Sequence, residues 1–181
     1  MALKPKIYKA TVSLSDMDRN HYEELQLTLA QHPSETLERM LVRLLVFCLN
    51  ADPQLSFTRG LSTAEEPDLW QRSLDDQIEH WIEVGQPEPD RVKKGGNQSG
   101  RISVYSFGKS GDSWWQSHAE ALRALPRLDV FQFAWDDVQQ LTALVARSMN
   151  LSVTITEARL YVADDAQTVE LPLSRLIAAD A

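Results

Sequence analysis

Hydrophobic and polar residues alternate along two segments near the start of the chain, residues 6–14 and 21–31. A period of two is typical of β-strands that bury one face, so both segments are predicted to be strands. The polar run between them, residues 16–20 (DMDRN), has turn chemistry, because Asp and Asn side chains bond readily to nearby backbone amides. The pattern therefore predicts an N-terminal β-hairpin.

The period changes to that of a helix over residues 35–49. Its apolar residues recur at intervals of three and four and share one face: Leu37, Met40, Leu41, Leu44, Leu45, Cys48 and Leu49. So broad a stripe indicates a helix packed against a sheet. Ser34 is the predicted N-cap, and Glu35 and Glu38 place negative charge near the helix N-terminus. Cys48, on the stripe, is predicted to be a buried and unreactive thiol.

Strands and helices alternate along the rest of the chain. Strands are predicted at residues 55–58, 68–70, 78–84, 101–107, 128–133, 151–156, 159–163 and 168–173. Helices are predicted at residues 87–94, 112–125 and 136–149, the first opened by Pro87 and closed by Gly95 and Gly96. This order predicts an α/β (α+β) fold with a mixed sheet and helices on its faces, in a single domain over residues 1–181.

The composition limits where and how the protein works. The chain has 181 residues, 43% of them hydrophobic, which suits one globular domain with a real core. Its single cysteine excludes an internal disulfide, and no apolar run approaches the ~20 residues of a membrane helix. The N-terminus lacks the apolar stretch of a signal peptide. Together these features predict a cytoplasmic protein with no membrane partner.

Charge is distributed unevenly along the chain. The formal net charge of −8 argues against a general nucleic-acid coat. Residues 61–90 carry nine acids and one base, whereas residues 91–127 carry seven bases and two acids. Two solvated faces would explain these blocks, and so would a carboxylate cluster beside a phosphate-binding rim.

One pair of acids is a candidate metal site. Asp68 begins a predicted strand and Glu83 lies near the end of the next, so adjacent strands would bring the two carboxylates together. Such carboxylates repel unless a cation compensates, and oxygen ligands suit Mg²⁺. The alternative is structural: Asp68 is a turn or cap residue, and Glu83 pairs with Arg91 or Lys93. P-loop, dinucleotide-binding and zinc spacings are all absent from the sequence.

Several short motifs resemble the bacterial YaeQ family over nearly the whole chain. They are residues 16–20 (DMDRN), 32–40 (HPSETLERM), 57–60 (FTRG), 66–67 (EP) and 81–85 (WIEVG). The resemblance implies a variant of the PD-(D/E)XK, or restriction-endonuclease-like, fold. Its core would run helix, strand, strand, strand, helix, strand, with the N-terminal hairpin and the C-terminal strands added to it.

The resemblance also implies roles for individual residues. In that superfamily a strand Asp and a following Asp or Glu bind Mg²⁺, and a Lys two residues later helps to activate water. Asp68 and Glu83 match the two acids, but Gly85 stands at the lysine position, so the motif is broken there. Lys93 and Lys94, on the next predicted helix, are the candidate replacements.

Two functions are compatible with these residues. The first is a Mg²⁺- or Mn²⁺-dependent phosphodiesterase, a nuclease, in which Arg91, Arg101 and Lys109 grip the phosphates of a nucleic acid. The second is a catalytically inactive nuclease-fold protein that acts as a binding or regulatory module for a protein partner; the glycine at position 85 and the acidic net charge favour it. Glu38 is a further candidate carboxylate for the metal, although its position also suits the helix dipole.

Overall fold

A computed structural model describes residues 3–179. Its strands are β1 (Lys6–Asp16), β2 (His21–Gln31), β3 (Leu55–Phe57), β4 (Leu69–Arg72), β5 (Ile78–Val84), β6 (Ile102–Ser106), β7 (Leu128–Phe133), β8 (Ser148–Thr156), β9 (Arg159–Ala163) and β10 (Thr168–Ile177). Its helices are α1 (Leu37–Leu49), α2 (Pro89–Asn97), α3 (Gly111–Arg123) and α4 (Trp135–Gln140), with 3-10 turns at Gly60–Ser62 and Leu141–Leu144. Within this part of the chain, no helix is both long and apolar enough to cross a membrane.

The strands of the described residues form one mixed sheet. Their spatial order is β2-β1-β8-β9-β10-β7-β6-β5-β4-β3. Three neighbouring pairs are parallel, namely β1 with β8, β5 with β6 and β6 with β7, and the others are antiparallel. The predicted hairpin is present, and it forms one end of this larger sheet. The prediction of a mixed sheet with helices on its faces is confirmed.

Helix α1 lies inside the curve of the sheet. It contacts β2 and β3, which stand at opposite ends of the strand order, so the sheet must bend around it. Every residue from Met40 to Cys48 is buried. The predicted apolar stripe is therefore core, and burial extends around the helix to the charged residue Arg43.

A second, smaller core lies between the opposite face of the sheet and helices α2 and α3. It contains Trp81, Val92, Ile102, Val104, Trp114, Leu122, Leu128 and Val130. Gly95 and Gly96 lie inside α2, so the prediction that they close this helix was wrong. A methyl group on Gly95 would stand 2.7 Å from Nε1 of Trp81, which explains why glycine is needed at that position.

Two boundary predictions near chain connections were also wrong. The predicted helix 136–149 ends as α4 at Gln140, and β8 already begins at Ser148. The end of this stretch, Ser148 and Met149, joins the sheet by pairing with β1, so tertiary pairing overrides the local helical period there. At α1 the N-cap is Thr36, whose side chain accepts from the backbone N–H of Arg39, and not Ser34.

We expect Leu44→Ala to lower the free energy of unfolding by about 2–5 kcal/mol, because it opens a cavity in the core around α1. Leu44 is 1% exposed. Urea denaturation of the wild type and the variant measures the difference. Leu74→Ala is the matched control, since Leu74 is 93% exposed and its truncation should change stability little. Equal effects at the two positions would contradict the burial of α1.

Cys48 should react slowly with thiol reagents in the folded protein. The side chain is buried, and this burial raises the pKa of the thiol to about 12, so the reactive thiolate is scarce. Labelling with a chromogenic disulfide reagent, with and without urea, checks this. Rapid stoichiometric reaction without urea would show that the assignment is wrong.

Candidate functional site

The two predicted site acids lie at the junction of β4 and β5. Asp68 immediately precedes β4, and its backbone N–H donates to the carbonyl of Ile82 across the strand pair. Glu83 is the penultimate residue of β5. Both side chains line one cleft of about 450 Å³, which also includes the segment around Gly60–Ser62 and the turn after β5.

Both carboxylate oxygens of Asp68 are already bonded. Oδ1 accepts from Nη2 of Arg39 at 2.5 Å, and Oδ2 accepts from the backbone N–H of Val84 at 2.7 Å. The same Arg39 nitrogen donates to the carbonyl of Val84 at 3.1 Å. A guanidinium from α1 and a backbone N–H of β5 therefore each take up one oxygen of Asp68.

Arg39 belongs to an ion-pair network that extends along α1. Glu35 accepts from Nη1 of Arg39 at 2.6 Å and from Nε and Nη2 of Arg43 at 2.8 and 2.6 Å. Burial alone would lower the pKa of Arg39, but the charges of Asp68 and Glu35 outweigh it and raise the pKa. Two acids and two bases thus balance in a largely buried cluster.

Glu35, Arg39 and Arg43 were not predicted as site residues. Glu38 was the acid considered on this helix, whereas the carboxylate that joins the network is Glu35. The signal in the sequence is the spacing of four between these residues, which places them on one helix face, together with an arginine inside a strongly apolar stretch. A buried arginine needs a carboxylate partner.

Glu83 is bonded through only one of its oxygens. Oε1 accepts from the indole Nε1 of Trp81 and pairs with Nε of Arg91, both at 2.9 Å. Within the described residues, no donor reaches Oε2. Burial, reinforced by the negative charge of Asp68, raises the pKa of Glu83 to about 7 against the opposing effect of Arg91. This carboxyl is therefore poised between its neutral and charged forms near neutral pH.

Arg91 connects the segments that form one side of the cleft. Its Nη1 and Nη2 donate to the carbonyls of Ala64 and Glu66 at 2.8 and 2.9 Å, while its Nε pairs with Glu83. One guanidinium thus ties α2, β5 and the loop before β4 together. The ion pair between Glu83 and Arg91 is the structural alternative that the sequence left open.

The structure brings no lysine into the cleft. Lys93 and Lys94 are exposed on α2 and are not among the residues that line it. Gly85 has φ +126°, a backbone conformation that a lysine would adopt only with strain. In the part of the chain described, no three His, Cys, Asp or Glu side chains are grouped so as to hold a metal.

The predicted phosphate-binding residues are dispersed. Arg91 lines the cleft, but Arg101 precedes β6 and forms an ion pair with Asp129. Lys109 follows β6, is exposed, and lines a different cavity beside Asp112. The three cations therefore do not form one surface around Asp68 and Glu83.

Comparison with known proteins places these residues in a family. The profile described as YaeQ protein matches residues 1–173. The chain is 38% identical over 175 residues to the proteins named "Uncharacterized protein YaeQ" from Salmonella typhi and Escherichia coli K12, covering 96% of this chain and 97% of each of those proteins. The chain belongs to the YaeQ family.

Solved YaeQ structures share the fold described above. The crystal structure of YaeQ from Xanthomonas axonopodis pv. citri matches with a TM-score of 0.91 at 40% identity, covering 94% of this chain and 97% of that one. The structure from Pseudomonas syringae also has a TM-score of 0.91, at 37% identity over 96% and 97% of the two chains. The predicted membership of the YaeQ family is confirmed, and the function of this bacterial family is uncharacterised.

The raised pKa of Glu83 predicts a pH-dependent stability for this YaeQ chain. Between the ordinary value of 4.5 and about 7, the folded state binds more protons than the unfolded state at this residue. Its contribution to stability therefore falls as pH rises through that range, by about 3 kcal/mol at ~1.4 kcal/mol per pKa unit. His80 acts in the opposite direction, because burial lowers its pKa to about 4.

A comparison of variants isolates Glu83 from His80. The free energy of unfolding of Glu83→Gln, minus that of the wild type, should increase between pH 4.5 and pH 8 by about 2–3 kcal/mol. Glu79→Gln, an exposed position on the same strand, is the control and should show no such trend. Urea denaturation at several pH values measures both differences. A flat difference for Glu83→Gln would mean that this carboxyl titrates normally.

Proposed function

We propose that this protein is a binding or regulatory module built on a PD-(D/E)XK-like core, in which arginines stand where the metal of a nuclease would bind. The observation that carries the proposal is the capping of the two motif acids. Arg39 bonds to Asp68, and Arg91 bonds to Glu83. A divalent cation would have to displace these guanidinium groups and meet their positive charge.

The order of elements supports the fold part of this proposal. From α1 through β4, β5, β6, α3 and β7, the chain follows the helix, strand, strand, strand, helix, strand succession of that superfamily. Strand β3 and helix α2 are additions to it. The two acids stand at neighbouring strands within this core, which is where the superfamily places its metal ligands.

Charge supports a protein partner over a nucleic acid. The net charge is −8, and Asp68, Glu83 and Glu35 balance the arginines around the cleft. A nucleic-acid surface needs uncompensated cations, because its affinity comes largely from neutralising phosphates and releasing counterions. A cleft of balanced charge and partly apolar lining suits a peptide segment better.

The test combines thermal melts with a cleavage assay. We expect millimolar Mn²⁺ or Mg²⁺ to leave the melting temperature of the wild type unchanged, since only a ligand bound to the folded state raises it. We expect no metal-dependent cleavage of single- or double-stranded DNA or RNA. A metal-dependent rise in melting temperature that Glu83→Gln abolishes, and that the exposed control Glu79→Gln retains, would overturn the proposal.

A metal-dependent phosphodiesterase is the second candidate, and one observation favours it. Oε2 of Glu83 faces no donor in the described chain, and the charge of Asp68 is close enough to raise the pKa of Glu83. Removing the competing guanidinium with Arg39→Gln distinguishes the two. If Arg39 merely blocks a functional metal site, this variant should bind Mn²⁺ and cleave nucleic acid more strongly. If the site is inactive, the variant should only lose stability, because Asp68 loses its guanidinium partner and Glu35 keeps only Arg43.

A further inference from the structure

A second cavity of about 430 Å³ lies on the other face of β5 and β6 from Glu83. Trp81 belongs to the core under α2, and Glu83 shares its side of β5. His80, from the alternate side of that strand, and Tyr105, from β6, line the second cavity instead. The cavity is open to solvent on one side and is lined by the end of α1 and by residues in or next to strands from both halves of the strand order.

Two arginines at this cavity share a single carboxylate. Nε and Nη2 of Arg101 donate to Oδ2 of Asp129 at 2.9 and 2.7 Å, and Nη2 of Arg175 donates to Oδ1 at 2.5 Å. Asp129 is fully buried, whereas the guanidinium side chains are half exposed. The trio carries one excess positive charge. Among the described residues, Nη1 of Arg101 and both Nε and Nη1 of Arg175 make no hydrogen bond.

Two buried polar side chains on the same wall retain unused hydrogen-bonding capacity. His80 is 7% exposed, and its Nε2 bonds to Oγ of Ser103 at 2.7 Å, but no bond to Nδ1 is formed by the described chain. Tyr105 is 3% exposed, and its hydroxyl accepts from Asn50 without donating to any described residue. Each of these two side chains can therefore form a further hydrogen bond to a ligand or to bound water.

The acids around this cavity are mostly committed elsewhere. Both oxygens of Asp16 accept from Arg19, and both oxygens of Asp18 accept from backbone N–H groups at residues 157 and 158. Asp52 accepts from the N–H of Gln54. Within the described chain, Arg101 and Arg175 are thus the lining residues that keep unpaired N–H donors for an anion. The remaining lining is apolar and includes Leu49, Phe131, Ile155 and Leu173.

We propose that this cavity binds a small organic oxyanion, whose carboxylate or phosphate group is held by Arg101 and Arg175 and whose apolar body lies against Phe131 and Leu173. The stack of Tyr105 on Phe131, with ring centroids 4.8 Å apart, gives the body a flat and rigid wall. Arg175 also lies over the Phe131 ring at 5.5 Å, which holds its guanidinium at the mouth of the cavity. Convergent guanidinium donors with apolar surroundings are the usual features of such sites.

Calorimetric titration of the full chain with phenyl phosphate, benzoate and neutral benzyl alcohol tests the proposal. Either oxyanion should bind more tightly than benzyl alcohol by roughly tenfold or more, because only the oxyanions satisfy the arginines. Their relative affinities identify phosphate or carboxylate as the preferred group. Equal binding of the alcohol, or no binding of either oxyanion at millimolar concentration, would overturn the proposal.

Three variants locate the binding. Arg175→Gln should weaken the tighter oxyanion by roughly tenfold. Leu173→Trp keeps both arginines but fills the cavity, so it should abolish binding even if the loss of an arginine disturbs Asp129. Arg127→Gln is the matched control, since Arg127 bonds to backbone carbonyls away from this cavity, and it should bind as the wild type does. Binding that survives Leu173→Trp in a folded protein would contradict the assignment.

Discussion

Burial of α1 is the constraint on which most of the structure depends. Nine consecutive residues of this helix are inaccessible to solvent, so covering one apolar face is not sufficient. The sheet supplies the cover by bending until strands from both ends of its order contact the helix. Complete burial also forces a charge, Arg43, into the interior, and the cost of burying it is offset by Glu35. The ion pairs beside the cleft follow from the need to pair this buried arginine, because Glu35 also pairs with Arg39.

The chemistry of the cleft follows from the same network. Glu35 pairs with Arg39, and Arg39 in turn pairs with Asp68 at the start of β4. Removing Arg39 would leave Asp68 without its guanidinium partner, and removing Glu35 would leave Arg43 without its carboxylate, so the charges of this cluster depend on one another. Glu83 stands outside this cluster with a single arginine partner, and burial together with the charge of Asp68 outweighs that partner and raises its pKa to about 7.

The sequence predicted the parts of the molecule in which local pattern and tertiary environment agree. The hairpin and the apolar face of α1 were predicted from their periods, and central strands such as β5 were predicted from composition as well as pattern. The pattern failed at residues 141–149, where helical spacing persists but the chain forms a 3-10 turn at Leu141–Leu144 and then enters β8, which pairs with β1 from Ser148 onwards. It also failed to identify Glu35 and Arg39, because their role arises from Asp68, a residue distant in sequence. Long-range ion pairs leave little trace in periodicity.

The parallel pairing of β1 with β8 has a consequence for how the chain folds. Lys9 pairs with Ser148, so this strand pair joins residues that are far apart in the sequence. During synthesis, β1 and β2 leave the ribosome before β8. One edge of β1 therefore stays unpaired until β8 has also been made. Closing so long a loop is slow, and an open apolar edge invites association between nascent chains.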